Sequence, residues 1–151
     1  MSYDHLNQDL IKTGSYINGQ YLAPSNDTFD VTNPANGEVI CQLHNATAED
    51  ATAAVAAAAA AMPEWSAKTA KQRAEIMRRW FELCTEHRDE LAAILTAEQG
   101  KPLAEAAGEI AYGSSYLEWY GEQAKRVYGD TVPGASSKSR IILIKQPVGV
   151  V

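Results

Sequence analysis

The stretch that most limits what this chain can become lies between Gly100 and Gly129. Gly100 suits the left-handed stop of one helix, and Pro102 sits where the next can begin without losing a needed N–H. No further proline occurs before Gly129, which with Asp130 offers the next stop. The spacing predicts a helix over residues 102–128, about 40 Å long and able to run through a whole small domain. Leu103, Ala107, Ile110, Ser114, Leu117, Gly121, Ala124 and Tyr128 recur at alternating four- and three-residue steps and so share one face. Much of that face is small, which lets another backbone come close. Such an element is expected to be central.

The residues before it divide into a β half and a helical half. Residues 1–14 read as a loosely held arm with a turn of helix over 6–11. Residues 16–22 predict a hairpin, because Asn18-Gly19 suits a type I′ turn and is flanked by β-formers. A strand over 28–32, a turn over 33–37 and a strand over 38–44, alternating Val39, Cys41 and Leu43, complete a small antiparallel unit. Thr47 then opens the helical half, with Asp50 placed to return the cap. Residues 51–61 are nearly all alanine, which predicts a thin helix lying close against its neighbour. Pro63 is expected to end it, and Trp65 to plug the following loop. Thr69 caps a helix whose stripe contains Ile76, Trp80 and Cys84. A pause at 87–89 precedes a short helix over 90–98. After the long helix, 130–138 reads as loop, 141–145 as a strand, and 148–151 as the start of another apolar strand. A chain that stops on such a strand looks truncated, since the strand needs neighbours and a following turn.

The bulk properties narrow the function. A net charge of −6 over 151 residues argues against a general nucleic-acid binder, which carries a basic field. Cys41 and Cys84 match no metal or disulfide spacing, which favours a reducing, cytoplasmic setting. There is no secretory signal pattern and no apolar run long enough to span a bilayer. Both cysteines fall on apolar positions and read as small core residues rather than nucleophiles. His5, His44 and His87 are scattered without metal-ligand spacing. Glu105, Glu109, Glu118 and Glu122 form helical pairs that suit either a solvated face or acid–base work. Tyr112, Tyr116 and Trp119 form an aromatic stripe, open to core packing, interface packing or ligand lining. No phosphate loop, dinucleotide fingerprint or nucleophile elbow is present. The residues alone describe an α+β unit without a complete active site.

Several ordered motifs nevertheless carry a resemblance. They are Ile17-Asn18-Gly19, Thr32-Asn33-Pro34-Ala35-Asn36-Gly37-Glu38, Trp65 before the Arg-rich helix, and Glu98-Gln99-Gly100-Lys101-Pro102. Glu118-Trp119-Tyr120, Tyr128-Gly129-Asp130-Thr131-Val132-Pro133-Gly134 and Lys145-Gln146-Pro147-Val148-Gly149-Val150 follow. In that order they resemble the N-terminal portion of the aldehyde dehydrogenases, from about Tyr16 to Val151. The Glu-Trp-Tyr segment, the Gly-Asp-Thr-Val-Pro-Gly loop and Lys-Gln-Pro-Val-Gly resemble those of succinate-semialdehyde dehydrogenases. The resemblance implies an α/β aldehyde dehydrogenase-like fold, of which this chain is an N-terminal α+β fragment with β-hairpins followed by helices and a flap strand. Residues 1–14 would be an arm, 15–129 part of the cofactor-binding domain, 130–147 an oligomerisation flap segment, and 148–151 the start of the first nucleotide-binding strand. A homodimer or homotetramer is implied.

Family chemistry implies oxidation of an aldehyde by NAD or NADP through a cysteine thiohemiacetal and thioester. The nucleophile, the water-activating glutamate and the groups that hold the dinucleotide belong to stretches beyond Val151. The chain by itself is therefore expected to be inactive, with no catalytic or cofactor-binding residue of its own. Two contributions are implied within it. A potassium or sodium ion would be held by backbone oxygens of Val31 and Thr32 with Glu98, a hard-donor set suited to such a cation. Gly108 and Tyr112 would line the entrance of the aldehyde tunnel. A rival reading is a non-catalytic scaffold or interaction module that keeps the fold without the chemistry.

Overall fold

A computed structural model describes residues 5–22 and 27–151. Two strands, β1 (Tyr16–Ile17) and β2 (Gln20–Tyr21), form the first hairpin, with Tyr16 opposite Tyr21. Asn18 and Gly19 both have positive φ, 52° and 78°, as the type I′ turn requires. Strands β3 (Thr28–Thr32) and β4 (Val39–His44) form a second antiparallel pair, with a register shift between Val31 and Thr32. Four helices follow: α1 (Ala48–Ala67), α2 (Ala70–Glu86), α3 (Arg88–Gln99) and α4 (Leu103–Gln123). A short 3₁₀ turn over Ala124–Arg126 leads into the last hairpin, β5 (Asp130–Pro133) with β6 (Arg140–Leu143). Among the described residues the three sheets are separate two-stranded pairs.

Local signals set the helix starts. Thr47 accepts from the Asp50 N–H while the Asp50 carboxylate accepts from the Thr47 N–H, a complete capping box. Thr69 and Gln72 repeat the arrangement at α2. His87 ends α2 and begins α3, and Gly100 stops α3 at φ 77°. The glycine stop is therefore present as expected, while the pause expected over 87–89 narrows to His87, with α3 already under way at Arg88.

The core gathers around α4, which packs against both α2 and α3. Its buried positions are Ala106, Ser114 and Gly121, and its partners offer Ala74, Ala92 and Ala97. Small residues at the contact let the helix backbones come close. At Gly121 a Cβ would lie 3.1 Å from that of Met77, so the α2–α4 crossing is tuned to glycine. Ser114 satisfies its buried hydroxyl by donating to the Ile110 carbonyl at 2.7 Å.

Six expectations need correction. The long helix ends at Gln123 rather than 128, because the chain tightens into the 3₁₀ turn. Tyr128 lies beyond the helix, and Leu103 stays exposed. Pro63 does not end α1. The helix continues to Ala67, because a proline there removes only one N–H, and the Lys68–Glu64 pair at 2.8 Å closes the last turn. Trp65 accordingly sits in that turn, not in a loop. Residues 130–133, expected as loop, are strand β5, recruited by pairing with β6. Residues 148–151 have no strand partner and form no strand. In the arm, residues 1–4 lie outside the described residues, but the rest is not loose. Leu6 is only 3% exposed, and the Asn7 side-chain amide donates to Glu90 of α3 at 2.7 Å. The alanine helix α1 does run beside the first hairpin, yet it buries no side chain among the described residues.

Candidate functional site

Two places collect the residues singled out from the sequence. The first is the corner where the β3–β4 pair meets the end of α3. Asn33 to Gly37 make a tight turn in which the Gly37 N–H donates to the Asn33 carbonyl at 2.7 Å and the Ala35 N–H to Asn33 Oδ1 at 2.9 Å. The α3 stop lies against this turn: a Cβ on Gly100 would be 2.9 Å from Pro34 Cγ. Val31 pairs with Cys41 across the ladder. Burial, and after it the Glu98 charge, push the Cys41 thiol above its usual range. Glu98 therefore stands within electrostatic reach of the strand pair that carries Val31 and Thr32. The register shift between those two residues disrupts the ladder there.

The chemistry of this corner suits a hard monovalent cation. Main-chain oxygens and one exposed carboxylate are oxygen donors of the type such a cation takes. Among the described residues no group of three or more His, Cys, Asp and Glu could hold a metal, so a transition-metal centre has no ligand set there.

The second place is the solvent face of α4. Gly108 and Tyr112 are one turn apart, and a Cβ at Gly108 would meet nothing within 4 Å. Tyr112 is 64% exposed, and its hydroxyl lies 2.6 Å from that of Tyr116. The two rings meet edge to face with centroids 5.2 Å apart, and Tyr120 stacks on Tyr116 at 6.4 Å. The hydrogen bond to Tyr112 is the main cause that holds the Tyr116 phenol above its usual range, with the neighbouring phenols adding to it. Tyr112, Ser115, Tyr116, Trp119 and Tyr120 line an open groove of about 460 Å³ with Glu118 and Glu122 along it. Tyr120 was read from the sequence as part of the Glu118-Trp119-Tyr120 motif but not of the aromatic stripe, although Tyr112, Tyr116 and Tyr120 recur at four-residue steps that mark one face.

The other candidates resolve into structural roles. Glu109 pairs with Lys101, and Glu118 faces the Arg78 guanidinium at 4.0 Å, so these two α4 carboxylates face cations. His44 Nε2 lies 3.1 Å from Asp50, linking β4 to the α1 cap, and His87 pairs with Glu90. Cys41 and Cys84 are half-buried free thiols.

Hairpins feeding a helical layer make up the chain, and residues 21–151 match the aldehyde dehydrogenase family. The chain belongs to that family, and its fold is aldehyde dehydrogenase-like. It is 50% identical over 143 residues to the succinate-semialdehyde dehydrogenase [NADP(+)] GabD of Escherichia coli, covering 94% of this chain and 30% of the relative. It is 52% identical over 142 residues to a glutarate-semialdehyde dehydrogenase of Pseudomonas putida, covering 93% of this chain and 30% of the relative. The solved succinate-semialdehyde dehydrogenase of Burkholderia pseudomallei superposes with a TM-score of 0.90 at 46% identity, covering 95% of this chain and 30% of that one. The chain thus spans about 30% of the length of these relatives.

Proposed function

We propose that this chain is the N-terminal portion of an NAD(P)-dependent aldehyde dehydrogenase that oxidises succinate semialdehyde, or a related semialdehyde, to the carboxylic acid. One observation carries the reading: nearly the whole chain aligns at about half identity with relatives named for succinate and glutarate semialdehydes. The bound dinucleotide supplies the hydride acceptor for the oxidation. The nucleophile is neither Cys41 nor Cys84, so residues 1–151 alone are inactive. What this chain contributes is placement. Gly108 and Tyr112 border the entrance taken by the aldehyde. Backbone oxygens of Val31 and Thr32, with the Glu98 carboxylate, hold a potassium or sodium ion that ties the β3–β4 turn to the end of α3. The β5–β6 hairpin belongs to an oligomerisation flap over 130–147, joining subunits into a homodimer or homotetramer.

The test is formation of NADH or NADPH by the full-length protein on addition of succinate semialdehyde. Turnover confined to unrelated aldehydes refutes the substrate assignment, and no turnover with any aldehyde favours a non-catalytic scaffold. For the cation, thermal stability that rises with potassium in the native protein and loses that dependence in Glu98→Ala supports the assignment. An unchanged potassium response in the variant removes it.

A further inference from the structure

We propose that residues 5–13 are a strap that holds the joint between α2 and α3, with the Glu90 carboxylate as its clasp. The joint needs such a hold. His87 both ends α2 and begins α3, and its side chain makes no cap bond to the new helix. Its N–H donates to the Leu83 carbonyl at 3.0 Å while its carbonyl accepts from the Leu91 N–H at 2.9 Å, so one backbone unit serves both helices. Glu90 stands in the first turn of α3, where a negative charge meets the positive end of the helix dipole. One of its oxygens faces His87 Nδ1, and the other accepts from the Asn7 side-chain amide at 2.7 Å. Bonds to a carboxylate are the stronger kind, and two of them restrain the Glu90 side chain. The bond from His87, and then that from Asn7, hold the Glu90 carboxyl below its usual range, which keeps it charged at neutral pH.

The strap is built to reach this carboxylate. Asn7 Oδ1 accepts from the Asp9 N–H at 3.0 Å, which turns the amide so that its NH2 faces Glu90. The Leu10 N–H donates back to the Asn7 carbonyl at 3.1 Å and the Ile11 N–H to the Gln8 carbonyl at 3.2 Å, making a compact turn. Leu6 is buried, and with Asn7 it borders the same hollow as Asp89, Glu90 and Ala93 of α3. The other end of the strap is tied to the β half. There the Thr13 carbonyl accepts from the His44 N–H at 2.9 Å, and the Lys12 ammonium lies 5.8 Å from the Tyr21 ring centroid. Helix α3 is therefore linked to the β half at its first turn through the strap and at its last through Gly100 against Pro34.

The experiment reverses the polarity of the clasp in the full-length protein. Asn7→Asp keeps the side-chain shape and the bond from the Asp9 N–H but sets one carboxylate against another. Amide exchange at neutral pH, corrected for intrinsic rates, should then be about tenfold or more faster over residues 9–11 and at Leu91, from the worth of a hydrogen bond to a charged group. Adding Glu90→Gln should restore slow exchange at both places, because the glutamine amide donates to the new carboxylate while its oxygen still faces His87. Ala51, in the first turn of α1, should exchange alike in all of these proteins. Exchange that stays slow in Asn7→Asp overturns the strap. Faster exchange that Glu90→Gln does not reverse overturns Glu90 as the clasp. Faster exchange confined to residues 9–11, with Leu91 unchanged, overturns the hold on the joint. None of these outcomes depends on turnover of an aldehyde, so the strap stands or falls separately from the dehydrogenase reading.

Discussion

Gly100→Ala probes the joint between the two halves of the chain, and its cost can be worked from two separate terms. Gly100 sits at φ 77°, where an L side chain meets the following carbonyl, at about 1–2 kcal/mol. The added Cβ would also lie 2.9 Å from Pro34 Cγ, closer than carbon atoms tolerate, and overpacking of that kind costs about 1–3 kcal/mol. The stiffer unfolded chain returns about 0.4–1 kcal/mol. The expected net loss is about 1–5 kcal/mol, from the same three terms. Gly37→Ala is the internal control. Gly37 has φ 73° but nothing within 4 Å of its would-be Cβ, so only the backbone term applies, and the net loss should be about 1 kcal/mol. Urea unfolding of the protein, followed by tryptophan fluorescence, measures both losses. A double-mutant cycle with Pro34→Ala isolates the contact, and the coupling should recover at least about 1 kcal/mol. If Gly100→Ala costs no more than Gly37→Ala, or the cycle shows no coupling, the turn does not rest on the end of α3. The geometry that brings Glu98 near Val31 then fails with it.

Further outcomes follow from the helix ends and the thiol. Thr47→Ala should destabilise α1 by about 1 kcal/mol, read as a lower midpoint in urea. Bonds from the Thr47 N–H and then His44 depress the Asp50 carboxyl, so it favours folding above its unfolded pKa of about 3.9, and that help is lost as pH falls through the lower folded value. Amide protection factors in the first turn of α1, corrected for intrinsic exchange, should fall in that acid window and stay level between pH 5 and 8 (roughly the span where carboxylates stay charged). Pro63→Ala restores an N–H to an exposed helix interior and should raise stability by up to about 3 kcal/mol, whereas a loss would show that the proline serves a contact. Cys41 should react slowly with iodoacetamide at neutral pH, and Glu98→Gln should speed it by removing the nearby charge.

What could be read from the chain was local. The Thr47–Asp50 capping box, the Thr69 cap, the Asn18-Gly19 turn and the Gly100 stop depend on residues within a few positions of each other, and all four stand as expected, while the return bond from Gln72 to Thr69 was not read from the sequence. Strand β5 was hidden because Asp130, Pro133 and Gly134 carry turn chemistry, and only pairing with β6 overrides it, through a register that sets Asp130 opposite Leu143. The burial of Leu6 was hidden for the same reason, since its partner surface on α3 is distant in sequence. Pro63 was read by its usual consequence, while the rest of the turn was strong enough to carry the helix past it. The site divides likewise. The step from Tyr112 to Tyr116 to Tyr120 is legible as a helical face, but the proximity of Glu98 to the β3–β4 pair needed the Gly100–Pro34 contact to become visible.

The last hairpin makes the strongest demand on what surrounds it. A two-stranded hairpin is marginal in water, and neither face of β6 is covered here. Ile141 and Leu143 are 48% and 50% exposed, while Ile142 and Ile144 are 73% and 71% exposed. Neighbours along a strand point to opposite faces, so both faces are apolar and both call for cover. At about 1.5–3 kcal/mol for each fully buried side chain, covering these exposed portions is worth about 4–7 kcal/mol. That is enough to decide whether subunits associate, and the proposed flap provides the setting. Ile142→Lys should therefore shift the full-length protein toward monomer in sedimentation, because it places a charge on the more exposed of the two faces. The fold of α2 to α4 should survive, since β6 lies outside the packed helical layer. An unchanged assembly would mean that another part of the same subunit covers this face, and the hairpin would then owe its order to intramolecular packing.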